Sequence, residues 1–198
     1  MKNSEFYLLV GINDIPWDRT VHWYGRASNF PGLLKNLISE DLTIQQSSIN
    51  KIKNNIEHQD GIIMATPFTL IFLYRILSVD KTKIDGILND ILDTILVCLE
   101  AAKFQLDLYS ENPIDNNITS IKELLSEKYL WKKFESEEQD EINWKEYDYS
   151  EEHYYWLEYT INIANFFTPV IDPFCIDKFY VEKARKIGMI ANQPKRYI

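Results

Sequence analysis

Residues 84–106 read IDGILNDILDTILVCLEAAKFQL, and the periodicity of this stretch decides the fold class. Ile84, Ile87, Leu88, Ile91, Leu92, Ile95, Leu96, Leu99, Ala102 and Leu106 recur at spacings of three and four. With 3.6 residues per turn, they form one wide apolar face over roughly six turns. Asp85, Asn89, Asp90, Asp93 and Glu100 fall off that face. Such a helix needs partners to cover its stripe, and it is predicted to end near Tyr109, before Ser110-Glu111-Asn112-Pro113. Cys98, inside the apolar run, reads as a small buried hydrophobe.

Upstream the same logic gives a helical hairpin. Residues 42–56 carry apolar side chains only at 42, 44, 49, 52 and 56, a thin stripe that predicts an outer helix with Ser39 or Asp41 as its cap. Glu57-His58-Gln59-Asp60-Gly61 is a break. Ile62 to Leu77 is apolar on almost every side and predicts an inner helix, with Pro67 tolerated in the first turns or kinking it. Leu33, Leu34, Leu37 and Ile38 mark a shorter amphipathic helix. Residues 13–32, rich in turn formers and aromatics, read as a lead-in.

Downstream, a helix is expected from about Ile118 to Phe134. Another spans about Glu151 to Phe167, stopping before Pro169, and a last one runs from about Pro173 to Ile187 and ends at Gly188. Alternation is weak and confined to Phe6–Gly11, so no strand is expected. The pattern predicts an all-α chain, residues 1–198 as one domain, arranged as an α-solenoid of stacked antiparallel helix pairs.

Of 198 residues, 45% are hydrophobic and 26% charged, which is ordinary globular composition. The formal net charge of -9 argues against a nucleic-acid binder, because such proteins need Lys and Arg to displace phosphate counterions. Two cysteines, Cys98 and Cys175, supply neither a zinc site nor a disulfide framework. Residues 1–10 lack the features of a signal peptide, and the most apolar segment is too short to span a membrane. The sequence reads as soluble and cytoplasmic.

Tyr24-Gly25-Arg26-Ala27, Pro31, Leu33-Leu34, Leu37, Ser39-Glu40-Asp41, His58-Gln59 and Ala65-Thr66-Pro67 together resemble a family of bacterial HEAT-repeat-like proteins. Its usual form is Y-G-x-A, P-x-L-L-x-x-L, S-x-D, H-Q-G and A-T, closing with an apolar helix. The resemblance covers roughly residues 17–77. Members are similar to small immunity proteins encoded beside secreted or contact-delivered polymorphic toxins, so it implies a HEAT-like fold and a toxin-neutralising role. Two departures are visible: Asp60 stands where the family has glycine, and serine occupies positions 47 and 48 where alanine is frequent.

No residue pattern supports catalysis. His22, His58 and His153 make no H-E-x-x-H arrangement, and there is no phosphate loop or nucleophile elbow. His58-Gln59, between two helices, reads as a pair that bonds exposed backbone at helix ends. No catalytic residue, metal or cofactor is expected, and the chain is read as a non-enzyme.

The abrupt feature lies at residues 135–152, where nine carboxylates accompany one base, Lys145. Like charges at i, i+4 repel, so a loop or weak helix is expected. Carboxylates there interleave with aromatics: Glu137, Glu138, Asp140, Glu141, Trp144, Glu146, Tyr147, Asp148, Tyr149, Glu151 and Glu152. Aromatic anchors carry interface energy while charges steer encounter, so this segment is the candidate partner-binding surface. Its carboxylates suit a basic nuclease domain, whose cleft attracts phosphate. The rival reading is a solvated acidic loop followed by a helix that buries Tyr155, Tyr159, Ile163 and Phe166. At the level of function, the expectation is an immunity protein that occludes a cognate toxin in a 1:1 complex, binding neither nucleic acid nor membrane. A HEAT-like adaptor for an unrelated peptide is the alternative.

Overall fold

The computed structural model describes residues 2–79, 81–109, 118–148 and 150–192, and among them helix dominates. The element order is α1 (Asn3–Leu9), β1 (Val21–His22), β2 (Gly25–Arg26), α2 (Phe30–Asn36), α3 (Leu42–Ile56), β3 (Glu57–His58), β4 (Gly61–Ile62), α4 (Ala65–Leu77), α5 (Leu88–Tyr109), α6 (Glu137–Glu146), α7 (Ser150–Phe166), α8 (Thr168–Ile171) and α9 (Val181–Ala191). Short 3-10 turns fill several of the connections.

The periodic segment forms α5, whose apolar face is buried from Leu88 to Leu106. It packs against α7, α9, α3 and α4, and α4 in turn packs on α7. The polar α3 and the apolar α4 follow one another as expected, but Leu42 and Ile44 of the predicted α3 stripe are exposed. In α3 only one stripe, including Ile49, Ile52 and Ile56, is buried, and the Asp41 carboxylate caps it by accepting from the Thr43 and Ile44 N–H groups at 2.8 and 3.3 Å. α4 is buried almost all round. Pro67 sits in its first turn, where the missing N–H costs nothing. Arg75, the one cation of α4, is not stranded. Its Nε and Nη2 donate to the Tyr7 carbonyl at 2.9 and 2.5 Å and its Nη1 to the Val10 carbonyl at 2.6 Å, closing the C-terminal end of α1. Cys98 is fully buried, and burial pushes its thiol pKa up.

Four expectations need correction. The break at 57–61 is a β-hairpin, as is the lead-in at 21–26; both are antiparallel, with registers Glu57↔Ile62, His58↔Gly61 and Val21↔Arg26, His22↔Gly25. Strands this short carry no alternation, so periodicity could not announce them. The inner helix therefore begins at Ala65, not Ile62.

The helix expected over 118–134 is instead a 3-10 turn at Ile121–Leu125 followed by turns and extended chain. Backbone groups that a helix would use internally are taken by other partners. The Trp131 carbonyl accepts from Arg19 Nε at 2.8 Å, the Lys132 carbonyl accepts from Arg26 Nη2 at 2.8 Å, and the Trp131 N–H donates to the Arg19 carbonyl at 2.9 Å.

Conversely, residues 137–146 form a regular helix, α6. Ser136 caps it by accepting from Gln139 N–H at 3.1 Å, and Glu137, Glu138 and Asp140 fall in its first turn, where the helix dipole favours negative charge. Finally, the last helix, expected from about Pro173 to Ile187, begins only at Val181, Pro173 lying in a 3-10 turn at Asp172–Ile176, and it runs through Gly188 to Ala191.

Candidate functional site

The two sequence signals, the Tyr24-Gly25-Arg26 motif and the acidic aromatic run, meet in space. Trp23 and Tyr24 form the loop of the β1–β2 hairpin, and Gly25 adopts φ +126°, a left-handed conformation that glycine tolerates. From β2, Arg26 reaches across to α6. Its Nε and Nη2 donate to the two Asp140 carboxylate oxygens at 2.5 and 2.6 Å, while Nη1 donates to the Asp18 carbonyl at 2.5 Å. The guanidinium also lies over the Phe134 ring, 5.4 Å from its centre. This pair holds the Asp140 carboxyl below the usual carboxylate pKa range.

Between the hairpin and α6 runs a groove of about 470 Å³. The hairpin contributes Val21, Trp23, Tyr24, Gly25 and Arg26, α6 contributes Glu137, Asp140, Glu141, Trp144 and Lys145, and Trp131 completes the lining. Trp144 is half-buried, its ring 5.6 Å from that of Trp131 and 6.4 Å from that of Tyr147. Tyr147 meets Trp131 edge-on at 4.9 Å. Trp131, Trp144 and Tyr147 thus pack together beside α6, and the first two also line the groove.

The eleven candidate positions consequently fall into different settings. Glu137, Glu138, Glu141, Glu146 and Asp148 are exposed. Asp140 is committed to Arg26. Trp144 and Tyr147 are half-buried, as is Glu152, and Tyr149 and the side chain of Glu151 lie outside the described residues. Tyr154, Tyr155 and Trp156 are core side chains of α7, with Tyr159 and Ile163. Arg26, Trp23 and Trp131 were missed as site residues, because no local pattern shows that a β-turn and a helix 114 positions apart will face each other.

A second hairpin backs the first. Trp23 N–H donates to the Asn55 carbonyl at 3.1 Å, so β1–β2 is fastened to the end of α3. Among the described residues His58 makes no bond to helix-end backbone, contrary to expectation; its ring meets Tyr24 edge-on at 5.9 Å, and Nδ1 lies 3.5 Å from the Tyr24 hydroxyl. The helix-end work falls to Thr66, whose hydroxyl donates to the Ile56 carbonyl at 2.6 Å and accepts from Ile63 N–H at 3.0 Å.

Gln59 and Asp60 occupy the β3–β4 turn with φ of 51° and 60°, a geometry that Asp, like Asn, tolerates better than most chiral residues. His22 is buried, its Nδ1 accepts from Tyr24 N–H at 3.1 Å, and burial lowers its pKa to about 4.

No family model, curated protein or solved structure matches the chain.

Among the described residues, no three His, Cys, Asp or Glu side chains gather as a metal-holding group, and no helix is long and apolar enough to cross a membrane. Among the described residues that line the groove, none is a serine, threonine or cysteine. What it offers is an aromatic floor, exposed carboxylates and a backbone held on both sides by hydrogen bonds.

Proposed function

We propose that this chain is an immunity protein that docks on a cognate toxin domain and occludes its active site, the docking face being centred on the groove between the β1–β2 hairpin and α6. The carrying observation is the meeting of Tyr24 and Gly25 with Glu137, Glu141 and Trp144 along one cleft. Half-buried aromatics flanked by exposed charge are the composition of an interface centre with its polar rim. The excess of carboxylates favours a partner with a basic cleft, such as an RNase or DNase domain. Inhibition of this kind needs no turnover and no cofactor.

The HEAT-like arrangement of stacked helix pairs belongs to the same proposal. Its support is the α3–α4 pair, an outer helix joined by a tight hairpin to an inner one, which occupies the region of the family resemblance.

Co-expression with the product of the adjacent reading frame tests the function. A stable 1:1 complex that abolishes the partner's toxicity supports it. A partner that remains toxic and free of this chain at micromolar concentrations overturns it, and specific binding of an unrelated peptide would favour the adaptor alternative.

A further inference from the structure

Resting on that docking reading, we infer that the groove is a receptor for one arginine side chain of the partner protein. Its charges do not cancel. Asp140 and Arg26 satisfy each other, leaving Glu137, Glu141 and Lys145 as the other charged groups of the lining. Neither Glu137 nor Glu141 has a side-chain hydrogen bond or ion pair among the described residues. They are four residues apart on α6, so both project from one face of the helix, a turn apart. Two unpaired carboxylates beside one ammonium leave the cleft anionic.

The walls select the kind of cation. Trp23, from the hairpin, and Trp144, from α6, are half-buried indoles in the lining of the cleft, which also includes Tyr24, 64% exposed. Indole faces attract cations, and a planar guanidinium stacks on them while its edge donates to carboxylates. An ammonium, more strongly hydrated and not planar, uses such walls less well. Arg26 itself displays the mode within the same lining, its guanidinium over Phe134 and its edge on Asp140. Glu137 and Glu141 are the carboxylates left for a second guanidinium from outside.

The test uses the full chain and three tripeptides, acetyl-Gly-Xaa-Gly-amide with arginine, lysine or citrulline as Xaa, followed by the indole N–H resonances. The arginine peptide should bind with a dissociation constant on the order of millimolar. It should shift the Trp23 and Trp144 resonances and leave those of Trp17 and Trp156, which are 4% and 1% exposed, in place. Citrulline, with the same shape and no charge, should bind at least roughly tenfold more weakly, with lysine between. The double variant E137Q/E141Q should lose the arginine preference while its own spectrum stays folded.

Equal shifts from arginine and citrulline, or an unchanged preference in E137Q/E141Q, would overturn the inference. If the double variant still binds the adjacent gene's product as tightly as wild type, the arginine receptor fails and the docking reading stands. If the arginine peptide binds but that product never does, the docking reading fails alone.

Discussion

Arg26 and Asp140, 114 positions apart, meet as a forked ion pair that ties the first hairpin to α6. Their side chains are 11% and 21% exposed, and Arg26 further satisfies the Asp18 and Lys132 carbonyls. Arg26→Ala should therefore loosen α6 as well as remove a charge. We expect a loss of about 2–3 kcal/mol, below the range for a fully buried pair, read as a lower urea midpoint together with reduced helicity.

Protonating Asp140 should act in the same direction. Its folded-state pKa is depressed, chiefly by the hydrogen bond from Arg26. The pair's contribution is thus fully present above the ordinary carboxylate range and is lost as pH falls through the folded value. Asp140→Asn should flatten that acid limb of the stability curve while costing less at neutral pH than Arg26→Ala.

A second pH dependence lies higher. His22 and His153 both have pKa values lowered to about 4 by burial. The unfolded chain binds those protons near pH 6.5, so stability is complete above that value and declines as pH falls towards 4. Each histidine should remove on the order of 1–2 kcal/mol between pH 7 and 5. Thermal unfolding across that range should show the decline, and His22→Asn with His153→Asn should flatten it.

Neutralising the exposed carboxylates should affect encounter and leave the fold intact. In the triple variant E137Q/E138Q/E141Q, we expect association with the partner to slow by roughly tenfold at low salt and its salt dependence to flatten. Stability should stay within about 0.5 kcal/mol, since these side chains are exposed. Trp144→Ala should instead speed dissociation. Because Trp144 also packs on Trp131, Trp144→Phe separates lost contact from a loosened helix.

Gly61 is a packing constraint between the two hairpins. A Cβ there would lie 3.0 Å from the His58 carbonyl oxygen and 3.0 Å from Trp23 Cζ2. Gly61→Ala should cost about 1–3 kcal/mol by overpacking and displace the Trp23 ring, read as a shifted indole fluorescence maximum alongside the unfolding midpoint.

Helices with sustained periodicity were legible in the sequence: α3 and α5 declared their faces because burial repeats every third or fourth residue. The sequence narrows the α3 cap to Ser39 or Asp41, and it is Asp41 that accepts from the Thr43 and Ile44 N–H groups. Residues 118–134 misled because Leu124, Leu125, Tyr129 and Leu130 mimic a helical stripe, yet the backbone there answers to Arg19 and Arg26 from a distant turn. α6 misled in the opposite sense. Repulsion among its acids argues for a loop or weak helix, whereas Ser136 capping, the helix dipole and the Arg26–Asp140 fork hold a regular one. The acidic aromatic run stood out as a composition, but the groove did not, since much of its lining comes from the distant hairpin Val21–Arg26.

The decisive measurement is hydrogen exchange on the complex with the adjacent gene's product. Protection concentrated in residues 21–26 and 137–146 is the expected result. Protection elsewhere, with both segments exchanging at their free rates, would contradict the placement of the docking face.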